Sequence, residues 1–174
     1  ESGNFNAGVE ATFWDNRIDL DVDFFIKKTN NLLFNMPIPA STGFTTEPRN
    51  VADMKNQGVE LTLGVTPVKT DKLSWKLTFN GLHYKNEITR LPDELREKGL
   101  TKGVQKLLEG GSIYDFYLVK WGGVNPENGD AQYWIKNPTT GEFELKPSAA
   151  YESVNSTQLV GSAIPDLQGG FGTT

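Results

Sequence analysis

NFNAGVEATFWDNRIDLDVDFFIK, from Asn4 to Lys27, is two runs of near-perfect polar/apolar alternation joined at Asp15-Asn16. In the first run Phe5, Ala7, Val9, Ala11 and Phe13 share one face and Asn4, Asn6, Glu10 and Thr12 the other, because successive side chains of a strand point oppositely. The second run sets Ile18, Leu20, Val22, Phe24 and Ile26 against Arg17, Asp19, Asp21, Asp23 and Lys27, with Phe25 the one apolar residue on the polar side. Each run has roughly ten residues, the length needed to cross a bilayer at a tilt; a soluble strand usually has about five or six. The stretch predicts a transmembrane β-hairpin closed by a tight turn.

The same plan returns further along. Val59, Leu61, Leu63 and Val65 alternate with Glu60, Thr62 and Thr66, and Pro67, which cannot donate to a ladder, is expected to end that strand. After the polar turn Val68 to Lys72, Leu73, Trp75, Leu77 and Phe79 alternate with Ser74, Lys76, Thr78 and Asn80. Between the hairpins, Thr29 to Asn56 has no sustained period and reads as a long loop. The fold class expected is all-β, an antiparallel transmembrane β-barrel segment of about four strands in two hairpins plus the start of a fifth.

Composition agrees with this class. Only 37% of the 174 residues are apolar, which a barrel tolerates because every second strand residue faces a polar lumen. No apolar run approaches the roughly 18 residues of a spanning helix, and no leader pattern opens the chain, so a membrane would be entered as strands. The absence of cysteine removes disulfides, thiol nucleophiles and cysteine metal sites. A net charge of −5 argues against nucleic acid as a partner.

Connection lengths suggest an orientation. Barrel turns on the periplasmic side are short and external loops long, which puts Asp15-Asn16 and Val68 to Lys72 in the periplasm. Residues 1–84 then form two transmembrane hairpins with an extracellular loop at 28–56. Residues 85–168 form one long extracellular region with small β elements, and 169–174 begin a further barrel strand. Within that region Leu95 to Leu108 is interrupted by Gly99 and Gly103, so at most one or two helical turns are expected. Ile113 to Trp121 reads as a strand covered on both faces. Gln132 to Ile135 and Glu142 to Leu145 flank the turn Pro138-Thr139-Thr140-Gly141 and are candidates for a small hairpin.

Val9, Ala11, Phe13, Ile18, Leu20, Val22, Phe24, Val59, Leu61, Leu63, Leu73, Trp75, Leu77 and Phe79 are the candidate lipid-facing residues, with Trp14 and Trp75 in interfacial girdles. Asp15, Asp19, Asp21 and Asp23 suggest a hard cation. However, alternate strand residues stand about 6.6 Å apart, so the three on one face read as a charged, water-facing wall. Asn125 to Asp130 does not fit an EF-hand and reads as a turn. No metal or cofactor is expected. The single histidine, His83, has no nucleophile near it in sequence and falls at the interfacial end of the Trp75, Leu77, Phe79 face. Tyr114, Phe116, Tyr117, Trp121, Tyr133 and Trp134 concentrate aromatics in the external region. They could form its small core, meet a partner or stack on substrate.

Four segments in order resemble the SusC/RagA family of TonB-dependent outer-membrane transporters. These are FWDNRIDLDVDFFIKKTNNLL (Phe13 to Leu33), Asn56-Gln57-Gly58-Val59-Glu60-Leu61, EGGSIYDFYLVKWGGVNPENGDAQYW (Glu109 to Trp134) and GSAIPDLQGGFGTT (Gly161 to Thr174). The resemblance implies a roughly 22-stranded barrel with a plugged lumen in the bacterial outer membrane. It also implies a SusD-like surface lipoprotein as cap, an oligosaccharide or peptide as substrate, and energy delivered by TonB through an N-terminal part that this sequence lacks. The function expected is import without chemistry on the substrate. One rival is a soluble carbohydrate-binding β-sandwich, in which the apolar face of the hairpins would pack a core. A glycan-active enzyme would need two carboxylates in acid and base roles, and the sequence singles out no pair.

Overall fold

The computed structural model describes residues 1–147 and 156–174. Its main sheet is antiparallel and built from β1 (Ser2–Phe13), β2 (Ile18–Pro37), β3 (Thr46–Lys69), β4 (Ser74–Arg90) and β12 (Gln168–Thr173), hydrogen-bonded in the order β1-β2-β3-β4-β12. These are the expected two hairpins and fifth strand. The sheet is not closed, and β1 and β12 form its edges.

Register explains why alternation was so legible. Ala11, Leu20, Leu63, Phe79 and Phe171 lie side by side across all five strands, and the next row is Val9, Val22, Leu61, Gly81 and Gly169. The apolar residues of each strand therefore merge into one continuous face. Asp21, Thr62 and Asn80 occupy the opposite face.

The long loop expected at 28–56 is corrected by the structure. β2 and β3 stay paired as far as Pro37 and Thr46, and only residues 38–45, with a short 3-10 turn at Ala40–Thr42, form the tip. Three register shifts, at Thr29/Leu32, Leu32/Leu33 and Asp53/Met54, break the parity on which sequence periodicity depends. Asn31 takes a left-handed conformation there (φ 55°). Pro67 does not end β3, which runs on to Lys69; the proline falls in the bulge between Val65 and Val68, where it removes no ladder bond. Leu73 stands just before β4, in the turn.

The remaining elements form a cap at the far end of the hairpins from the turns. α1 (Asp93–Arg96) is a single turn, followed by β5 (Leu100–Lys102), β6 (Gln105–Leu107), β7 (Asp115–Val119), β8 (Trp121–Val124), β9 (Ala131–Lys136), β10 (Phe143–Pro147) and β11 (Thr157–Ser162). They make two small sheets, β11-β7-β6-β5 and β10-β9-β8. β7 is flanked by β6 and β11. β9 and β10 are the candidate hairpin, with Trp134 opposite Leu145.

Burial divides the molecule in two. Ala52, Ile88, Leu91 and Leu107 are at most 5% exposed and form a core, with Leu32, Phe34, Leu95, Leu100 and Ile113 packed around it. Each fully buried leucine or isoleucine side chain among them contributes about 2 kcal/mol by leaving water. The apolar face of the hairpins is open instead: Phe5 is 59%, Val9 67%, Phe13 51% and Phe171 73% exposed. A face so apolar and uncovered across five strands is far larger than the patch a water-soluble monomer carries.

Candidate functional site

Three surfaces carry the candidate residues: the apolar face, the polar face and the cap. On the apolar face the predicted residues other than Leu73 lie on strands. Val9, Ala11, Phe13, Ile18, Leu20, Val22, Phe24, Val59, Leu61, Leu63, Leu77 and Phe79 share rows through the register. Trp75 uses its indole N–H to bond Thr173 Oγ1 at 2.8 Å, tying β4 to β12. His83 joins the row of Phe24 and Val59, and its Nδ1 meets the carbonyl oxygen of Asp166. Trp14 lies in the turn, 75% exposed, in a left-handed conformation (φ 51°) shared with Asp15 and Asn16.

The polar face is acidic. Glu10 stands directly opposite Asp21, and Asp23 directly opposite Glu60. Such like-charge pairs disfavour a sheet unless water or cations screen them. Lys76 reaches Asp19 at 3.4 Å. Among the described residues no three His, Asp or Glu side chains converge as a metal-ligand set. Phe25, the apolar intruder, lies over Gly58: a Cβ on that glycine would come within 2.7 Å of Phe25 Cζ and 2.8 Å of Tyr84 Cβ.

The cap is fastened to the hairpins at a joint that the sequence reading missed, and a second missed cluster clasps three hairpin strands to one another. Asn86, 3% exposed, donates to Asn56 Oδ1 at 2.7 Å and accepts from Ser112 Oγ at 3.0 Å and Ile113 N–H at 2.9 Å. Backbone bonds between Ile88 and both Gly110 and Gly111 reinforce it. In that clasp Arg90, at the end of β4, grips Asp53 of β3 through Nε at 2.8 Å and reaches Asn31 Oδ1 of β2 at 3.0 Å. Asp53 also accepts the Asn31 N–H at 2.8 Å. That amide, more than the guanidinium, holds the Asp53 carboxyl below its ordinary pKa. Glu109 is lowered likewise, first by the Leu91 N–H and then by Arg96. Parity counted from Trp75 puts Asn86 on the polar face, the one available sign of its role.

The six aromatics do not converge. Trp121, 61% exposed, pairs with Tyr133 on one face of the β8-β9-β10 sheet, and Trp134 points to the other face beside Leu145. Phe116 and Tyr117 are half-buried neighbours on β7, and Lys106 Nζ lies 4.4 Å over the Tyr117 ring, a cation–π contact. Tyr114 is 40% exposed. A cavity of about 300 Å³ lies between the upper part of β4 and the cap, lined by His83, Lys85, Ser112, Asp115 and Asp166 among others. A groove of about 600 Å³ runs between Leu33, Phe34 and Thr46 on the β2-β3 arm and Leu100 and Lys102 on β5.

Residues 1–172 match the model of a family described as TonB dependent receptor-like, beta-barrel. The TonB-dependent receptor P39 of Formosa agariphila is 32% identical over 71% of this chain, and P26 of the same organism 30% identical over 99%. SusC of Bacteroides thetaiotaomicron is 33% identical over 50% of it. A solved structure described as the RagAB peptide transporter superposes with a TM-score of 0.76 at 26% identity over 98% of the chain. The chain spans 12% of P39, 18% of P26 and 19% of the RagAB chain. With its open antiparallel sheet and the landmarks at Asn56, Gly58 and Glu109 brought to one end, the chain belongs to the TonB-dependent receptor β-barrel family and is of its SusC/RagA type.

Proposed function

We propose that the chain forms wall and outer cap of a TonB-dependent transporter in the bacterial outer membrane, importing oligosaccharides or peptides without acting on them chemically. The apolar face, from Val9 and Phe24 to Phe79, meets lipid, and the acidic face lines a watery lumen. The turns at 14–17 and 70–73 lie in the periplasm, and the cap lies outside. The observation that carries this reading is the five-strand apolar face, which none of the described residues covers. A carbohydrate-binding sandwich would cover that face with a second sheet, and the two small sheets instead pack around the far end.

Tyr114 and Trp121, the more exposed of the six aromatics, stand where substrate or a SusD-like surface lipoprotein would arrive. The similar chain in the RagAB structure is a peptide transporter by its description, which supports import as the function and leaves peptide and oligosaccharide both open. The test uses the full-length protein in a strain lacking its own copy. It is expected to sediment with outer membranes, to co-purify with a surface lipoprotein, and to restore TonB-dependent growth on an oligosaccharide or peptide. Recovery as a soluble, monodisperse protein without detergent overturns the proposal.

A further inference from the structure

The apolar face ends abruptly toward the cap. Above the row of Ala7, Phe24, Val59 and His83 comes one of Phe5, Ile26, Gln57 and Lys85, and above that Gly3, Lys28, Lys55 and Glu87. Three lysines thus stand together on the same face as the belt. Lys28 and Lys55 are direct cross-strand partners, a like-charge arrangement that costs stability unless an anion answers it. Glu87 answers it in part, at 3.4 Å from Lys55 and 3.6 Å from Lys85. Lys28 has no ion-pair partner among the described residues.

The height of this cluster decides what can reach it. Eight residues separate Ile18 from Ile26, about 27 Å along the strand, which a tilt of roughly 40° reduces to about 21 Å of bilayer depth. Two residues more bring Lys28 to about 26 Å, against an apolar band about 25 Å tall. The lysines therefore sit at the rim of the belt, where headgroups begin. Immediately below them Phe5, Ile26, Phe24 and Val59 offer apolar surface to acyl chains.

We infer that Lys28, Lys55 and Lys85 form a binding site for the phosphate group of an outer-leaflet glycolipid. Lysine is a compact point charge suited to phosphate, and the adjoining apolar rows favour a phosphate attached to a lipid over one free in solution. The inference rests on the outer-membrane placement proposed above. Lys27 is the built-in control, one residue away and on the opposite face beside Asn56.

The test is native mass spectrometry of the full-length chain in detergent, titrated with phosphorylated lipid A, dephosphorylated lipid A and inorganic phosphate. Wild type is expected to retain phosphorylated lipid A alone. Lys28→Gln with Lys85→Gln should weaken it about thirtyfold, at the usual worth of two lysines near an anionic surface, and Lys27→Gln should leave it unchanged. Glu87→Gln should tighten it by removing the competing carboxylate; where the double variant fails to assemble, this arm decides. Equal retention of the dephosphorylated lipid, equal binding of inorganic phosphate, or indifference to both the double variant and Glu87→Gln overturns the site. A full-length chain absent from outer membranes overturns the proposed function instead.

Discussion

Asn86 Nδ2 donates to Asn56 Oδ1 at 2.7 Å, and through this bond two landmarks far apart in sequence become one structural joint. Asn56 opens the Asn-x-Gly-Val-Glu segment of β3, and Asn86 Oδ1 holds Ser112 and Ile113 of the Glu109 to Trp134 run. Replacing Asn86 by Ala would leave the buried Ser112 hydroxyl and the part-buried Ile113 N–H without their acceptor, at a cost of about 1–3 kcal/mol for a buried orphan. The joint is local, so the hairpins should survive while the cap loosens. In the full-length chain, Asn86→Ala is expected to expose the Lys98 to Lys120 segment to trypsin at rates well above wild type. Unchanged cleavage would mean that the Ile88 backbone bonds to Gly110 and Gly111 fasten the cap unaided.

Gly58 gives a sharper steric case. A Cβ there would lie 2.6 Å from the His83 carbonyl oxygen as well as against Phe25 and Tyr84. Two of these neighbours belong to β4 at or next to its backbone, so neither can move aside cheaply. Gly58→Ala is expected to destabilise the strand pair by about 1–3 kcal/mol. It should lower the fraction of full-length chain that runs as the compact, heat-modifiable form on electrophoresis. Adding Phe25→Ala should restore only part of the loss, because the His83 carbonyl remains. Full rescue would show that the aromatic ring alone required the glycine.

These two positions also show where sequence reading reaches its limit. The hairpin faces were legible because lipid-height strands of this family need one apolar side, so composition repeats with period two from Phe5 to Ile26 and from Val59 to Phe79. Phe25 broke that pattern for a reason visible only in register, since it fills the gap over Gly58 on the neighbouring strand. Beyond Lys28 the demand for an apolar face ends. Bulges at Asn31 and at Asp53/Met54 shift the parity, and a paired arm therefore looked like a loop. Leu73, counted by parity as lipid-facing, belongs to a turn for the same lack of register. The grouping of the cap aromatics was equally hidden, because which face Trp134 takes depends on the pairing of β9 with β8 and β10.

The Asp53 clasp should make the arm acid-sensitive. The folded-state pKa of Asp53 is held below its ordinary 3.8, chiefly by the Asn31 N–H and next by Arg90. A depressed carboxylate stabilises the fold at pH above its unfolded value and loses that contribution as pH falls through the folded value. Amides of the β2-β3 arm are therefore expected to stay protected in hydrogen exchange at pH 5 and to open below the ordinary aspartate range. In Asp53→Asn they should already be less protected at pH 5 and show no further acid step from this clasp. An acid step retained in the variant would assign the sensitivity to another carboxylate, with Glu109 next in line by its bonds to the Leu91 N–H and Arg96.

Depth is the last quantity the register makes testable. Leu61 lies in the third apolar row, beside Val22, and Ile26 two rows nearer the lysine rim. Arginine on the lipid face of a barrel costs about 2–4 kcal/mol at the midplane and about 0–1 near an interface. Leu61→Arg should thus destabilise the full-length chain in lipid vesicles by several times more than Ile26→Arg, measured by denaturant unfolding. Thr62→Arg, next to Leu61 on β3 but opposite Asp21 on the acidic face, should be near neutral because the new charge meets a carboxylate and water. In a soluble sandwich both Leu61 and Ile26 would point into a protein core, and an arginine at either would cost a similar amount whatever the lipid. A thinner bilayer separates the cases further, since it brings Ile26 still closer to the headgroups and changes nothing for a protein that does not touch lipid.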